Sequence, residues 1–172
     1  MGRASQRGPA HTSRVVTLAL SLALLVSSPA LPAQGVLAPG ESLGGVSLGD
    51  TRAAVTKRWG SSRTLCALCT RPTWLYTYRG RGLSGAAVSF RNGRVSAVFT
   101  LGVPRGWRTS RGVALGDPAE KVQAVYGRLP WSRCIGYGAL SIRRPGVVAS
   151  IYTYGESVYG FALTRPSEPV CQ

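Results

Sequence analysis

The chain has 172 residues, of which 21 are lysine or arginine, 6 are acidic and one is histidine, giving a formal net charge of +15. The histidine, His11, lies in the N-terminal segment described next, so the rest of the chain lacks Ser-His-Asp or Cys-His catalytic machinery and histidine-containing metal sites. We therefore expect a protein that is not an enzyme and needs no cofactor. The basic residues are scattered rather than clustered, so we expect no specific nucleic-acid binding.

Residues 1–33 have the order of a secretory signal peptide: three arginines, an uncharged apolar run over 15–26, then small residues and prolines. The run is shorter than the roughly 20 residues that span a bilayer, although an uncleaved anchor is the alternative. Cleavage is predicted after Ala30 or Ala33. We then expect a mature chain that is secreted or held in the periplasm or cell envelope, not transmembrane. It keeps 18 basic residues against 6 acidic ones, a net charge of +12.

The mature chain contains an internal repeat. The segments 45–50 (GVSLGD) and 112–117 (GVALGD) lie 67 residues apart, and each is followed by V-x3-[WY]-G at the same spacing. Repetition at a fixed offset indicates two copies of one structural unit. We assign the first copy, with its lead-in, to residues 34–104 and the second to residues 105–172.

Each copy begins with signals for a short helix of about ten residues. Asp50 and Asp117 stand at the predicted N-caps, and Glu120, three residues after Asp117, would complete a capping box. Gly60 and Gly127 are the predicted C-terminal ends, where a positive φ is wanted.

Three strands are predicted after each helix. Asn92-Gly93 is a strong hairpin signal between two of them. The predicted strands cover residues 74–78, 86–91 and 95–101, and then 140–143, 147–154 and 157–163. The predicted fold class is α+β: a tandem duplicated α-β-β-β unit, forming one antiparallel sheet or two abutting sheets. The short helices pack on one side, and the other face is open to solvent or a partner.

The four cysteines are predicted to form structural disulfides, because an exported protein meets an oxidising compartment. Three pairings are possible, and the distribution of two cysteines per copy favours Cys66–Cys69 and Cys134–Cys171. A redox Cys66-x-x-Cys69 motif or a zinc site is the alternative. The first is disfavoured because no βαβ pattern surrounds the motif, and the second by the exported destination.

An aromatic strand is the candidate binding surface. Trp74, Tyr76 and Tyr78 alternate and so point to one face, and Arg79 and Arg81 follow at once. This face either packs beneath the helix or forms an exposed aromatic and arginine patch of the kind found in protein-binding hot spots. Three loop residues could extend such a patch or cap the core: Trp107, Arg108 and Trp131.

The repeated string G-V-x-L-G-D-[TP]-x3-V-x3-[WY]-G, followed by an aromatic strand and F-x-[NY]-G-x-V, resembles the repeat of beta-lactamase-inhibitor-like proteins. It is also similar to a small outer-membrane assembly lipoprotein with that fold. The resemblance covers residues 44–166 and implies a secreted tandem α+β protein with one disulfide per repeat and a sheet face that binds another protein. The helical part is shorter than the family's helix pair, and no contact residue of the family is carried over.

Two functions follow as hypotheses. The first is a monomeric secreted module, binding or inhibitory, that docks an unidentified protein on an aromatic and arginine sheet face. The alternative is a basic cell-envelope protein held electrostatically on an anionic wall polymer or membrane surface.

Overall fold

The computed structural model describes residues 1–2, 35–77, 85–102 and 106–172. The predicted signal peptide beyond residue 2, and the binding candidates Tyr78, Arg79 and Arg81, lie outside the described residues. Helix α1 covers Arg52–Trp59 and helix α2 covers Ala119–Tyr126. Within the described ranges, no helix is both long enough and apolar enough to cross a membrane.

Eleven strands are present in the described part of the chain, arranged in two sheets. The small sheet has the order β2-β1-β7, from Ser42–Leu43, Val36–Ala38 and Arg108–Thr109. The large sheet has the order β3-β4-β5-β6-β11-β10-β9-β8. Its strands are Thr64–Leu65 (β3), Thr73–Thr77 (β4), Gly85–Arg91 (β5), Arg94–Leu101 (β6), Trp131–Arg133 (β8), Gly138–Arg144 (β9), Val147–Tyr154 (β10) and Ser157–Thr164 (β11).

The large sheet is continuous and antiparallel. Four strands from the first half of the chain meet four from the second where β6 pairs with β11, with Val98 opposite Leu163. Both helices contribute buried residues to one hydrophobic core on one face of this sheet, through Val55, Trp59 and Val122. The α+β class is therefore confirmed, whereas the duplication of the unit stays a prediction.

Trp59 is the centre of the core beneath α1. It is 1% exposed, and its indole Nε1 donates a hydrogen bond to the carbonyl oxygen of Gly44 at 2.8 Å. Its ring meets Tyr76 and Trp107 edge to face, with centroids 5.3 and 6.0 Å apart. The lone polar atom of this large side chain is thus paired, as burial requires.

The prediction that Asp50 caps α1 is wrong. The N-cap is Thr51, whose Oγ1 accepts a hydrogen bond from the N–H of Ala54 at 3.1 Å. Asp50 lies one residue too early. Its Oδ2 instead accepts from the N–H of Ser47 and from Arg58 Nη1, each at 2.8 Å, so it closes the preceding turn and ties it to the helix.

Asp117 departs from the prediction in the same way. The N-cap position of α2 is Pro118, which makes no side-chain cap hydrogen bond. Asp117 Oδ2 accepts from the N–H of Ala114 at 2.6 Å and pairs with Lys121 Nζ at 2.8 Å. Its own N–H donates to the carbonyl of Ala114, so Glu120 does not form the predicted capping box, although it stands in the first turn.

The predicted C-terminal ends of the helices are confirmed. Gly60 and Gly127 have φ values of 81° and 74°, which favour glycine. Their N–H groups donate to the carbonyl oxygens of Thr56 and Gln123.

The favoured disulfide pairing is also confirmed. Cys66 bonds to Cys69 and Cys134 to Cys171, with Cα atoms 5.4 and 5.5 Å apart. The second bond ties the C-terminal segment to the residue after β8.

Candidate functional site

The predicted aromatic patch is not assembled on an open face. Trp74 and Tyr76 are 6% and 1% exposed and belong to the core on the helix side, so their assignment to a partner-binding surface is wrong. The Arg63 guanidinium lies 3.6 Å from the centroid of the Trp74 ring and covers it. Burial raises the pKa of Tyr76, partly offset by the Arg63 charge, and keeps its phenol neutral.

The three loop candidates, Trp107, Arg108 and Trp131, also lie in different parts of the structure. Trp107 is fully buried in the core, so it caps the core rather than extending a patch. Arg108 is exposed on the small sheet. Trp131 is 58% exposed, but it lies on β8, which is one edge strand of the large sheet. Trp74 lies on β4, next to the other edge. These residues do not form one surface.

Two β-bulges decide which aromatic side chains face away from the helices. The register shifts opposite Ser89 and Phe90, where Ser96 is the extra residue on β6, and opposite Tyr152 and Thr153, where Tyr159 is the extra residue on β11. An extra residue inverts the alternation of side chains along a strand. Val95 therefore joins the core on the helix side, whereas Phe99 packs with a second cluster on the other face.

That other face carries a row of four tyrosines. The ring centroids of Tyr137 lie 5.1 Å from Tyr152 and 6.4 Å from Tyr159, and Tyr159 lies 5.7 Å from Tyr154. Tyr152 is fully buried, while Tyr154 is 64% exposed. The tyrosine row therefore runs from the protein interior to solvent.

The C-terminal segment 166–172, which we call the strap, covers part of the same face. The hydroxyl of Tyr152 donates to the carbonyl of Val170 at 2.6 Å, and that of Tyr137 donates to Gln172 at 2.7 Å. Burial raises the pKa of Tyr152 well above its ordinary value, and raises that of Tyr137, so both phenols remain donors at neutral pH. The predicted open face is thus partly closed by the chain itself.

Glu168 fixes the other end of the strap. Its side chain is fully buried and forms ion pairs with Arg71 and with Arg91, the latter at 3.4 Å. A buried carboxylate is stable only when it is paired. Together with the Cys134–Cys171 bond, these contacts hold the strap at both ends.

A groove remains beside the strap. It consists of two adjoining cavities of about 230 and 470 Å³, which share Leu101 and Gln172. The first is lined by apolar residues of neighbouring strands, among them Leu75, Ala87 and Phe99. The second is lined by Ile135, Tyr137, Tyr154 and Tyr159. We call the two cavities together the sheet groove.

The sheet groove is mainly apolar. Its walls are aromatic and aliphatic with a few phenol hydroxyls, and tyrosine is among the residue types enriched in protein-binding hot spots. Within the described ranges, no group of three or more histidine, cysteine, aspartate or glutamate residues could hold a metal ion. Asp50, Asp117 and Glu168 are all engaged in ion pairs.

Apart from the buried Tyr76, which borders the first cavity, the groove residues are not among the binding residues predicted from the sequence. Tyr137, Tyr154 and Tyr159 all lie in the second half of the chain, whereas the predicted patch centred on β4 in the first half. Tyr152 and Tyr154 do alternate, which places them on one face. The bulge at Tyr159 and the closure of this face by the strap have no recognisable local signal.

No family model matches this chain, and no curated protein matches it. Solved structures do resemble it. A DUF4309 family protein from Bacillus subtilis aligns with a TM-score of 0.51 and 15% identity, over 67% of this chain and 78% of that one.

Two further structures align with lower scores. An extracellular protein containing an SCP domain from Bacillus anthracis has a TM-score of 0.47 and 12% identity, over 69% of this chain and 44% of that one. A cysteine-rich secretory protein from Staphylococcus aureus has a TM-score of 0.47 and 14% identity, over 80% and 51%. The chain thus spans about half the length of these two proteins. At such identities, the similarity to the DUF4309 protein shows a shared fold and nothing further.

Proposed function

We propose that this chain is a secreted, non-enzymatic binding module that docks a protein partner on the sheet groove. The observation that carries the proposal is the tyrosine row opening into an apolar groove on a continuous sheet. Tyrosine supplies a large amphipathic contact area at little cost in conformational entropy, because it has only two side-chain torsions. A sheet fixed on one side by the core and on the other by the strap presents these rings in a preorganised form.

Secretion is part of the same proposal. Both disulfides form within the chain, and no cysteine of the described part is free. Disulfides of this kind persist in oxidising compartments. With the basic and apolar N-terminal segment, they support export by a signal peptide cleaved after Ala30 or Ala33. The resemblance to beta-lactamase-inhibitor-like proteins supports the same use of the sheet face, and inhibition of an enzyme is one form that such docking would take.

The experiment places a photo-crosslinking amino acid at Tyr154 in the oxidised mature protein. It is irradiated with the envelope and culture supernatant of its own organism. The matched control carries the crosslinker at Trp131, which is similarly exposed but lies on the edge strand β8. We expect a discrete adduct from position 154 that is absent from position 131 and is lost when Tyr159→Ser is added. Adducts of equal yield from both positions would refute the groove as the docking surface.

A second candidate function is electrostatic attachment to an anionic envelope polymer. The observation in its favour is that only Arg58, Arg71, Arg91 and Lys121 form ion pairs within the described residues, while arginines such as Arg94, Arg128 and Arg165 are exposed. Binding of the protein to purified cell wall should then disappear in molar salt, where the screening length falls to about 3 Å. Binding that survives molar salt contradicts this candidate.

A further inference from the structure

A separate cavity of about 390 Å³ lies on the helix-bearing side of the large sheet, between the small sheet and the end of α2. Two arginines line it, Arg111 from the loop after β7 and Arg144 from the end of β9. Within the described part of the chain, neither forms an ion pair. The sheet groove lies on the opposite face, so this cavity is distinct from it.

Both arginine side chains are positioned by their surroundings. The guanidinium of Arg111 lies over the ring of Tyr126, 5.0 Å from its centroid. The stem of Arg144 passes close to the backbone of Gly40: a Cβ at that position would lie 2.9 Å from Arg144 Cδ, and Gly40 has a φ of 95°. Glycine at position 40 therefore leaves the space that the side chain of Arg144 occupies.

Tyr126 lines the cavity and carries an unpaired polar group. Its hydroxyl oxygen is buried with no hydrogen-bond partner among the described residues. An unpaired buried hydroxyl is unfavourable, and a ligand oxygen would relieve that cost. Leu129 and Ile142 form an apolar part of the wall. The lining thus offers two cations and a hydrocarbon surface, and Tyr126 carries a buried hydroxyl that has no partner among the described residues.

We propose that this cavity binds a small organic carboxylate. The carboxylate lies between Arg111 and Arg144 and accepts a hydrogen bond from the Tyr126 hydroxyl, and its hydrocarbon part packs on Leu129 and Ile142. Charge-assisted hydrogen bonds from guanidinium groups are well suited to a planar carboxylate. The carboxylate of Glu41 lines the same cavity and opposes a second negative charge, which favours a monoanion over a phosphate dianion.

The test is a titration of the oxidised mature protein followed by NMR, with hexanoate, hexanol and inorganic phosphate as separate probes. We expect hexanoate to bind at this cavity, and hexanol and phosphate each to bind at least about tenfold more weakly. Arg144→Gln should weaken hexanoate binding by about tenfold or more. The matched control is Arg143→Gln, which removes the same charge from the other face of β9, where Arg143 lies opposite Val148. It should leave the affinity unchanged.

A second variant separates binding from structure. Tyr126→Phe should weaken hexanoate binding about fivefold or more without lowering the melting temperature of the free protein, because the hydroxyl it removes has no partner among the described residues. A lower melting temperature with unchanged hexanoate affinity would assign the hydroxyl a purely structural role and overturn the proposal. So would an equal loss of binding in Arg143→Gln, phosphate binding as tight as hexanoate binding, or the absence of hexanoate binding.

Discussion

The two disulfides should contribute unequally to stability. Replacing Cys134 and Cys171 together by serine opens a loop whose ends are 37 residues apart. Without this bond the unfolded chain gains conformational entropy, which should lower the free energy of unfolding of the variant by about 3.8 kcal/mol at 25 °C. The matched control removes Cys66 and Cys69, only 3 residues apart, and should cost about 1.6 kcal/mol by the same relation. The difference of about 2 kcal/mol arises from loop length, since each variant loses one bond.

Urea denaturation of the oxidised proteins, followed by tryptophan fluorescence, measures both effects. With a slope of about 2 kcal/mol/M, the midpoint of the Cys134→Ser and Cys171→Ser variant should fall by roughly 2 M and that of the control by less than 1 M. Full reduction of the wild type should bring its midpoint to or below that of either variant. Equal losses in the two variants, or a larger loss in the control, would refute the reasoning and show that the long loop is not a restraint on the unfolded chain.

Three further predictions concern the scaffold. Trp59→Ala should lower the free energy of unfolding by about 3–5 kcal/mol, because it empties a buried site. The control Trp131→Ala, at an exposed site, should change it by less than about 1 kcal/mol. Equal losses of the two variants in urea denaturation would contradict this prediction. Thr51→Ala should cost about 1 kcal/mol through loss of the N-cap hydrogen bond, and an unchanged midpoint would disprove the cap. Burial acts to raise the pKa of Asp117, but hydrogen bonds from Lys121 and the N–H of Ala114, with the Lys121 charge, lower it below the ordinary 3.8. This carboxylate therefore stabilises the fold above that pH and loses its effect as the pH falls through the folded pKa, so the stability of the wild type should decline more steeply in acid than that of Asp117→Asn.

Local patterns in the sequence predicted most of the elements. Both helices, their glycine ends and the six long strands follow from short-range signals: helical spacing, Gly60, and an Asn-Gly turn at position 92. The N-caps were placed one residue too early because an aspartate satisfies two local arrangements equally well. Asp50 pairs with the N–H three residues before it, while Thr51 takes the cap. Propensity does not distinguish these outcomes, since in each of them the side chain accepts one hydrogen bond from a backbone N–H.

The candidate site was not predictable in the same way, because it depends on contacts between distant parts of the chain. Alternation places Val95 and Phe99 on one face, but the bulge at Ser96, between them on β6, separates them. Burial of Trp74 depends on cover from residues that are not its sequence neighbours. Glu168 joins the strap to Arg71 and Arg91 across 77 or more residues of sequence, and no local pattern marks such a pairing. The sheet groove therefore depends on long-range contacts that no local pattern predicts.

The most direct test of the proposed docking surface is hydroxyl-radical footprinting of the oxidised mature protein, alone and with the envelope or supernatant fraction that yields the crosslink. In the free protein, Tyr154 and Ile135 should react readily, and the buried Tyr76 and Tyr152 should not. On addition of the fraction, Tyr154 and Ile135 should become protected while Trp131 keeps its reactivity. Unchanged reactivity at Tyr154, or equal protection of Trp131, would contradict the sheet groove as the surface through which this protein acts.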